Sequence, residues 1–150
     1  MRVVVQRVRR ASVEVAGEMV AATGVGMLVL LGVSTEDSEQ DADWLAKKVV
    51  GLRIFNDPDG VMKLNVSQAG GEILVVSQFT LLASTRKGNR PSYVRAAAEP
   101  ISRPLYEYFV GRVTEESGCR VQTGIFGADM KVELINDGPV TICIDSQAKE

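Results

Sequence analysis

A group of polar side chains directly follows an apolar run in the middle of the sequence. Residues 73–76 read ILVV, and residues 77–81 read SQFTL. Hydroxyl and carboxamide groups at a strand end that opens into a loop are a common setting for binding and catalysis. The same hydroxyls can instead satisfy nearby backbone groups, which is their usual role at a strand end. The segment is therefore a candidate site with a purely structural alternative.

A second unusual stretch, NDGPVT at residues 136–141, interrupts an apolar run near the C-terminus. Proline has no N–H to donate to a β-ladder, and glycine weakens one. The Asp-Gly pair between two apolar runs most simply predicts a hairpin turn. The alternative is that this bend places residues in contact with a ligand.

Two further stretches have side chains suited to a nucleotide. In QTGIFGADM, residues 122–130, the two glycines let a ligand approach the backbone, and Phe126 offers a stacking face for a base. A bulged loop is the structural alternative there. Arg86, Lys87 and Arg90 lie in STRKGNRPSYVR, residues 84–95, which contains no acid. Such a patch can bind phosphate even though the net charge is −2, but composition alone favours a solvated loop.

Histidine is absent from the chain. This excludes a Ser-His-Asp triad, a Cys-His pair, a His-ligated metal and a histidine general base. Cys119 and Cys143 are too few and too far apart for a zinc site, and we expect both to be buried structural thiols. An enzyme with this sequence must use hydroxyls, carboxylates, Lys or Arg, backbone amides, or groups of its substrate.

The elements that position these stretches predict an α/β fold with a mixed, barrel-like sheet and two main helices. A helix should begin after Ser38, because Asp41 completes a capping box with it. The second helix should span about 102–117, with Leu105, Phe109 and Val113 facing the core and Gly118 ending it. Strands are expected at 2–8 and 12–15 (a hairpin or one bent strand), 25–33, 72–82, 120–124, 130–136 and 140–145.

The bulk properties predict a single domain over residues 1–150. Hydrophobic residues make up 45% of the 150 residues, which is enough for a globular core. The longest apolar stretch, at residues 25–33, is too short to span a membrane, and the opening residues lack a signal peptide. We expect a cytoplasmic protein with no membrane association.

Along almost its whole length the sequence resembles the D-aminoacyl-tRNA deacylase family. The two motifs that mark this family stand intact, as Ser-Gln-Phe-Thr-Leu at 77–81 and Asn-x-Gly-Pro-x-Thr at 136–141. The opening VVQRVRRASVEV (4–15), with Arg7 in its usual place, is similar as well. So are RIF (53–55), LNVSQAGGEILVVSQFTL (64–81) and QTGIFGADM (122–130).

The resemblance implies hydrolysis of the ester that joins a D-amino acid to the 3′-terminal adenosine of tRNA. It also implies activity on glycine attached to tRNA-Ala, a homodimer with its sites at the subunit interface, and no metal or cofactor. The family's Gly-Pro bond is cis and enters the site of the partner subunit. By resemblance this pair is Gly138-Pro139, Arg7 holds it in orientation, and Asn136 and Thr141 belong to the same chiral-selection segment.

The resemblance also assigns the remaining site residues. Ser77, Gln78, Phe79 and Thr80 form the catalytic segment, in which backbone N–H groups near Phe79 and Thr80 stabilise the oxyanion. An unactivated threonine is a poor nucleophile, so we assign activation of water to the substrate's ribose 2′-hydroxyl. The adenosine pocket comprises Phe126, Gly127, Ala128 and Met130. Arg86, Lys87 and Arg90 are assigned to tRNA phosphates by their charge alone.

Three other functions stay open at this stage. The fold could bind aminoacyl-tRNA or a nucleotide without turnover. It could be a related editing hydrolase that accepts small L-amino acids through a trans Gly-Pro bond. A thiol enzyme using Cys119 or Cys143 is the third, although neither cysteine has a histidine partner.

Overall fold

The long N-terminal strand β1 (Arg2–Val15) organises the sheet in the computed structural model, which describes residues 1–150. Its first half pairs antiparallel with β3 (Gly26–Gly32), and its second half with β2 (Glu18–Thr23). Along its other side it pairs with β8 (Met130–Asp145). The predicted strands at 2–8 and 12–15 are therefore one bent strand, and the N-terminal hairpin is formed by β1 and β2.

Two parallel pairings extend the sheet and make it mixed. β6 (Glu72–Ser77) runs parallel to β3, and β7 (Val121–Thr123) runs parallel to β6. The order is β2-β1-β3-β6-β7, with β8 also on β1, while β4 (Phe55–Asn56) and β5 (Met62–Leu64) form a separate small hairpin.

The carboxamide of Gln122 joins the two ends of this sheet. Its oxygen accepts from the Ala22 N–H at 3.1 Å, and its Nε2 donates to the Ala22 carbonyl at 2.6 Å. One side chain thus makes the two bonds that a strand would make between β7 and β2. The result is a nearly closed barrel, which confirms the predicted α/β class with a barrel-like mixed sheet.

Two helices cover one face of the sheet. Helix α1 (Glu39–Gly51) follows Ser38, whose N–H donates to the Asp41 carboxylate at 2.9 Å, as the capping box predicts. Helix α2 (Glu99–Ser117) begins three residues before the predicted start, because Pro100 suits a first helical turn. Gly118 ends it with φ +62°, as expected.

The buried face of α2 differs from the prediction. Tyr106, Phe109 and Val113 are buried, whereas Leu105 is only half-buried. Ser102 and Ser117 complete the buried face, and their polarity concealed it from the apolar periodicity.

Two apolar clusters stabilise the fold. The larger lies between the sheet and the helices and includes Val5, Val29, Leu45, Val75 and Phe109. The smaller lies on the opposite face of the sheet, inside the barrel, and consists of Val8, Ala11, Val13, Ala21, Leu28, Leu74 and Val76. Neither helix is long and apolar enough to cross a membrane.

Three predictions about local structure are wrong. The strand predicted at 72–82 ends at Ser77, and Phe79–Leu82 is a 3-10 helix. Residues 130–136 and 140–145 belong to the single strand β8, so NDGPVT is a bulge within a strand instead of a hairpin turn. Neither cysteine is buried: Cys143 is exposed on β8, where side chains alternate between two faces, and Cys119 is half-buried in the connection between α2 and the strand that follows it.

Candidate active site

A cavity of about 280 Å³ opens where β6 ends, and the chain just before β8 forms its other wall. Ser77, Gln78 and Phe79 line one side, and the stretch from Phe126 to Met130 lines the other. Two of the segments predicted from the sequence therefore meet at one site. Four of the predicted adenosine residues lie in its lining: Phe126, Gly127, Ala128 and Met130.

The shape of the predicted catalytic segment, Ser77–Thr80, depends on β3, the neighbour of β6. Ser77 is the last paired residue of β6, opposite Leu31, and the Gln78 N–H donates to the Leu31 carbonyl at 2.7 Å. A Cβ on the next residue, Gly32, would lie 2.5 Å from Leu82 Cδ2 and 2.9 Å from the Gln78 carbonyl oxygen. Gly32 thus lets the turn and the 3-10 helix pack directly on β3. Our sequence analysis missed it, although a glycine ending an apolar strand was a visible signal.

Thr80 does not line the cavity, in contrast to Ser77, Gln78 and Phe79. Its Oγ1 accepts a hydrogen bond from the Gln78 carboxamide. The backbone N–H groups of Phe79 and Thr80 donate to no group of the chain, because they open the 3-10 helix. The segment therefore offers two free amides together with a threonine hydroxyl that is already engaged.

Tyr106 lines the cavity from α2 and was not predicted as a site residue. Its ring centroid lies 5.5 Å from that of Phe126, and its hydroxyl donates to the Val75 carbonyl at 3.0 Å. Burial raises the pKa of the Tyr106 phenol to about 12. The hydroxyl therefore stays protonated and orients the ring against Phe126.

Arg103, one turn before Tyr106 on α2, also contacts Phe126. The Arg103 guanidinium carbon is 5.6 Å from the centroid of the Phe126 ring. Phe126 thus packs against both an aromatic ring and a cation of α2, which helps to orient it as one wall of the cavity.

The residues predicted for chiral selection lie at a bulge in β8. Gln6 pairs with Thr141 and Val8 with Asn136, so residues 137–140 stand opposite Arg7 alone. Gly138 has φ +127°, and the Gly138-Pro139 peptide bond is cis. Such a φ suits glycine, whose missing Cβ also leaves room for the neighbouring side chains.

The side chain of Arg7 holds this bulge through hydrogen bonds. Its side chain is buried, its Nε donates to the Asp137 carbonyl at 2.9 Å, and its Nη1 donates to the Ile54 carbonyl at 2.7 Å. The guanidinium thus ties the bulge to the chain before β4. After Asp137, Gly138 and Pro139 are exposed, and Val140 is half-buried against the larger apolar cluster.

The two predicted groups are not together within one chain. Neither Arg7 nor any residue of 136–141 lines the cavity. Arg7 is in register with Met27 on β3, and Met27 with Ile73 on β6, whereas the cavity lining on β6 begins at Val76. The offset of three residues along β6 is about 10 Å, and the two strand steps from β6 to β1 add further distance.

The predicted phosphate-binding residues lie on an exposed loop at the cavity rim. Arg86, Lys87 and Arg90 are all exposed, and none has a carboxylate partner. Tyr93, near the C-terminal end of this loop, packs its ring edge-on against Phe79 with centroids 5.1 Å apart.

No three His, Cys, Asp or Glu side chains of the chain cluster so that they could hold a metal ion.

Comparison with known proteins agrees with the motifs. Residues 4–145 match the family model described as D-Tyr-tRNA(Tyr) deacylase. The chain is 59% identical over 150 residues to the D-aminoacyl-tRNA deacylase of Dechloromonas aromatica, with both chains covered in full. It is 57% identical over 150 residues to the corresponding protein of Bacteroides thetaiotaomicron, again with full coverage of both. The chain therefore belongs to the D-Tyr-tRNA(Tyr) deacylase family.

Two solved structures have the same fold. One, described as c-Myc DNA Unwinding Element Binding Protein, superposes with a TM-score of 0.94 at 41% identity and covers 99% of this chain and 100% of its own. The other, described as a probable eukaryotic D-amino acid tRNA deacylase, superposes with a TM-score of 0.83 and covers 95% of this chain and 97% of its own. At 17% identity the second likeness concerns the fold alone.

Proposed function

We propose that this protein hydrolyses the ester between a D-amino acid and the 3′-terminal adenosine of tRNA. The observation that carries the proposal is the meeting of Ser77, Gln78 and Phe79 with the Phe126–Met130 segment around one cavity. Family membership supports the same activity, since the D-aminoacyl-tRNA deacylases above are similar over the whole chain. The products are free tRNA and a D-amino acid.

The terminal adenosine occupies the side of the cavity formed by residues 126–130. Phe126 provides an aromatic face for the base, and Gly127 and Ala128 let the nucleoside lie close to the backbone. This placement brings the aminoacyl ester to the end of β6. The ester carbonyl then faces the catalytic segment.

Hydrolysis proceeds by attack of water on the ester carbonyl. The carbonyl oxygen gains negative charge, which the free N–H groups of Phe79 and Thr80 stabilise. The chain has no histidine, and the Thr80 oxygen is engaged by Gln78. The ribose 2′-hydroxyl next to the ester therefore positions and activates the water, while Ser77 and Gln78 shape the pocket.

Chiral selection comes from a second copy of the chain. Within one chain Gly138-Pro139 lies outside the cavity lining, on an exposed bulge braced by Arg7. In a two-fold dimer each copy would place this bulge in the cavity of the other. The Gly138 and Pro139 carbonyls would accept from the substrate's α-ammonium group and leave no volume for an L side chain. Glycine has no side chain to exclude, so glycyl-tRNA-Ala is a further substrate.

The dimer uses the side of the barrel that carries β8. This strand pairs only with β1, so its outer edge has no partner within the chain. Ile135 and Cys143 are exposed there beside the bulge. A second copy packed against this edge would cover apolar groups that otherwise face water.

The first experiment compares release of amino acid from D-Tyr-tRNA, L-Tyr-tRNA and Gly-tRNA-Ala with EDTA present. We expect turnover of the D ester and the glycyl ester, and none of the L ester. Equal hydrolysis of both tyrosyl esters would leave an editing hydrolase without chiral selection. Binding of the esters without turnover would identify a binding module, and loss of activity after thiol alkylation would implicate a cysteine.

A mixing experiment tests the shared site. Gly138→Ala damages the donated bulge and Phe126→Ala damages the receiving cavity, so each variant alone should be inactive. Random mixed dimers contain one site with both lesions and one site with neither, which predicts recovery of about a quarter of the wild-type activity. No recovery after confirmed subunit exchange would contradict a site built from two copies.

A further inference from the structure

We propose that the loop of residues 84–95 binds the ribose–phosphate backbone of tRNA on the 5′ side of the terminal adenosine. This inference rests on the proposed function and concerns how the enzyme holds the rest of its substrate. Four observations support it: the geometry of the loop, its attachment beside the cavity, its reach and its charge.

The loop is a closed structure of defined size. The Ser84 N–H donates to the Ser92 carbonyl at 2.8 Å, and the Ser92 N–H donates to the Ser84 carbonyl at 2.9 Å. Residues 85–91 project between these two bonds, and Gly88, with φ +79°, provides the turn. The base of the loop is thereby fixed while its tip is exposed to solvent.

The C-terminal end of the loop is attached to the cavity wall. Tyr93 packs against Phe79, which lines the cavity, with ring centroids 5.1 Å apart. Farther along, the Ala97 N–H donates to the carbonyl of Val33, another lining residue, at 2.9 Å. A nucleic acid that leaves the cavity past Phe79 therefore meets this loop first.

The reach of the loop suits several phosphates. Half of a seven-residue loop extends about 10 Å from its closed base. With three cations along this length, the loop can contact more than one phosphate next to the cavity.

The positive charge of the loop is complementary to the negative charge of phosphodiesters. Arg86, Lys87, Arg90 and Arg95 are exposed, none has a carboxylate within ion-pair distance, and the loop contains no acid. By contrast, Arg103, Arg112 and Lys131 each pair with a carboxylate. In a protein of net charge −2, unpaired cations concentrated at the cavity rim form a local positive region. An adenosine bound in the cavity presents its 5′ phosphate outside, where these cations lie.

The test compares the triple variant R86A/K87A/R90A with a control, K47A/K48A/K149A, which removes the same charge from exposed residues outside the cavity lining. Two substrates are used: D-Tyr-tRNA and the 3′ D-tyrosyl ester of adenosine, which has no phosphate. For the loop variant we expect the KM for tRNA to rise at least tenfold with kcat unchanged. Its kinetics on the adenosine ester should stay within twofold of wild type, and the control variant should match wild type on both substrates.

Salt dependence provides a second readout. Removing three phosphate contacts should lessen the slope of log kcat/KM against log salt concentration by about 2 with tRNA. Kinetics on tRNA within twofold of wild type, with an unchanged slope, would overturn the proposal. An equal loss on both substrates would overturn it too, because the loop would then act on the cavity instead of on RNA.

Binding of uncharged tRNA separates failure of this inference from failure of the proposed function. If wild-type protein hydrolyses neither ester, the affinities of both variants for uncharged tRNA still decide the role of the loop. A tenfold weaker affinity confined to R86A/K87A/R90A would support the RNA contact. Equal affinities of that variant and wild type would overturn it.

Discussion

Arg7 holds the backbone of Asp137: its Nε donates to the Asp137 carbonyl oxygen at 2.9 Å. The same guanidinium donates through Nη1 to the Ile54 carbonyl at 2.7 Å, and its side chain is buried. One planar group thus fixes the start of the bulge relative to the chain before β4. A compact ammonium group cannot match this two-point geometry.

The variant Arg7→Lys keeps the charge but loses one of the two carbonyl contacts. We expect deacylation of D-Tyr-tRNA to fall at least tenfold, since the bulge is no longer oriented. Stability should fall by about 1–3 kcal/mol, because a buried carbonyl loses its donor. Chemical denaturation and single-turnover kinetics measure the two effects. Wild-type activity in Arg7→Lys would mean that the bulge needs no brace.

Gly138→Ala tests the backbone of the bulge itself. Gly138 has φ +127°, and an added Cβ would lie 2.9 Å from Val140 Cγ2 and 3.0 Å from Arg7 Nη2. We expect loss of D-ester hydrolysis by at least tenfold while the far-UV circular dichroism spectrum stays native. Gly60→Ala is the matched control, because Gly60 also has a positive φ, +80°, but open space around its Cβ position. If both alanine variants kept full activity, the bulge would tolerate a side chain.

Gly32→Ala should impair the catalytic segment from beneath. The new Cβ would meet Leu82 Cδ2 at 2.5 Å and the Gln78 carbonyl oxygen at 2.9 Å, so the turn after Ser77 must move. Overpacking of this kind costs about 1–3 kcal/mol, and the displaced Phe79 and Thr80 amides should lower kcat. Gly111→Ala serves as control, since Gly111 lies in α2 with nothing near its Cβ position. Unchanged kcat in Gly32→Ala would argue against a role for these amides.

Thr80→Val removes the hydroxyl with little change of shape. Because Thr80 lies outside the cavity lining and its oxygen accepts from Gln78, we expect kcat to fall less than about tenfold. Single-turnover hydrolysis of D-Tyr-tRNA gives the value. A loss of more than about 1000-fold would point to Thr80 as a nucleophile, since nucleophile removal has effects of that size or larger.

The raised pKa of the Tyr106 phenol should make the folded protein less stable at alkaline pH. Burial raises the pKa of its phenol to about 12, above the value of about 10 expected in the unfolded chain. The unfolded chain therefore releases this proton first, and the stabilisation present below pH 10 disappears as the pH rises to 12. The full change is about 3 kcal/mol by linkage.

Urea unfolding at several pH values measures this effect. Tyr106→Phe should lack this part of the pH dependence, although it starts less stable by about 1 kcal/mol because the Val75 carbonyl loses one donor. Tyr93→Phe, at an exposed position, should keep the wild-type profile. An identical alkaline slope in Tyr106→Phe and wild type would contradict the assignment.

Local sequence signals predicted much of the fold. The capping box at Ser38, the αL glycine at Gly118 and the apolar strand before Ser77 were all readable, because each depends on residues close in sequence. The end of β6 could not be predicted from the sequence. Phe79–Leu82 is apolar enough for a strand, but β3 ends at Gly32 beside it and offers no further partner, so the chain turns into a 3-10 helix.

The sequence by itself determined the chemical groups and the family: two intact motifs, a glycine before a proline, and no histidine. Tertiary structure alone decided where these groups lie. It placed Tyr106 at the cavity and Gly32 against the 3-10 helix, left Thr80 outside the cavity lining, and separated Arg7 and Gly138 from Ser77. The physical reason is that strand register and helix packing join residues far apart in sequence. Motif spacing contains no information about which face of the barrel each motif will occupy.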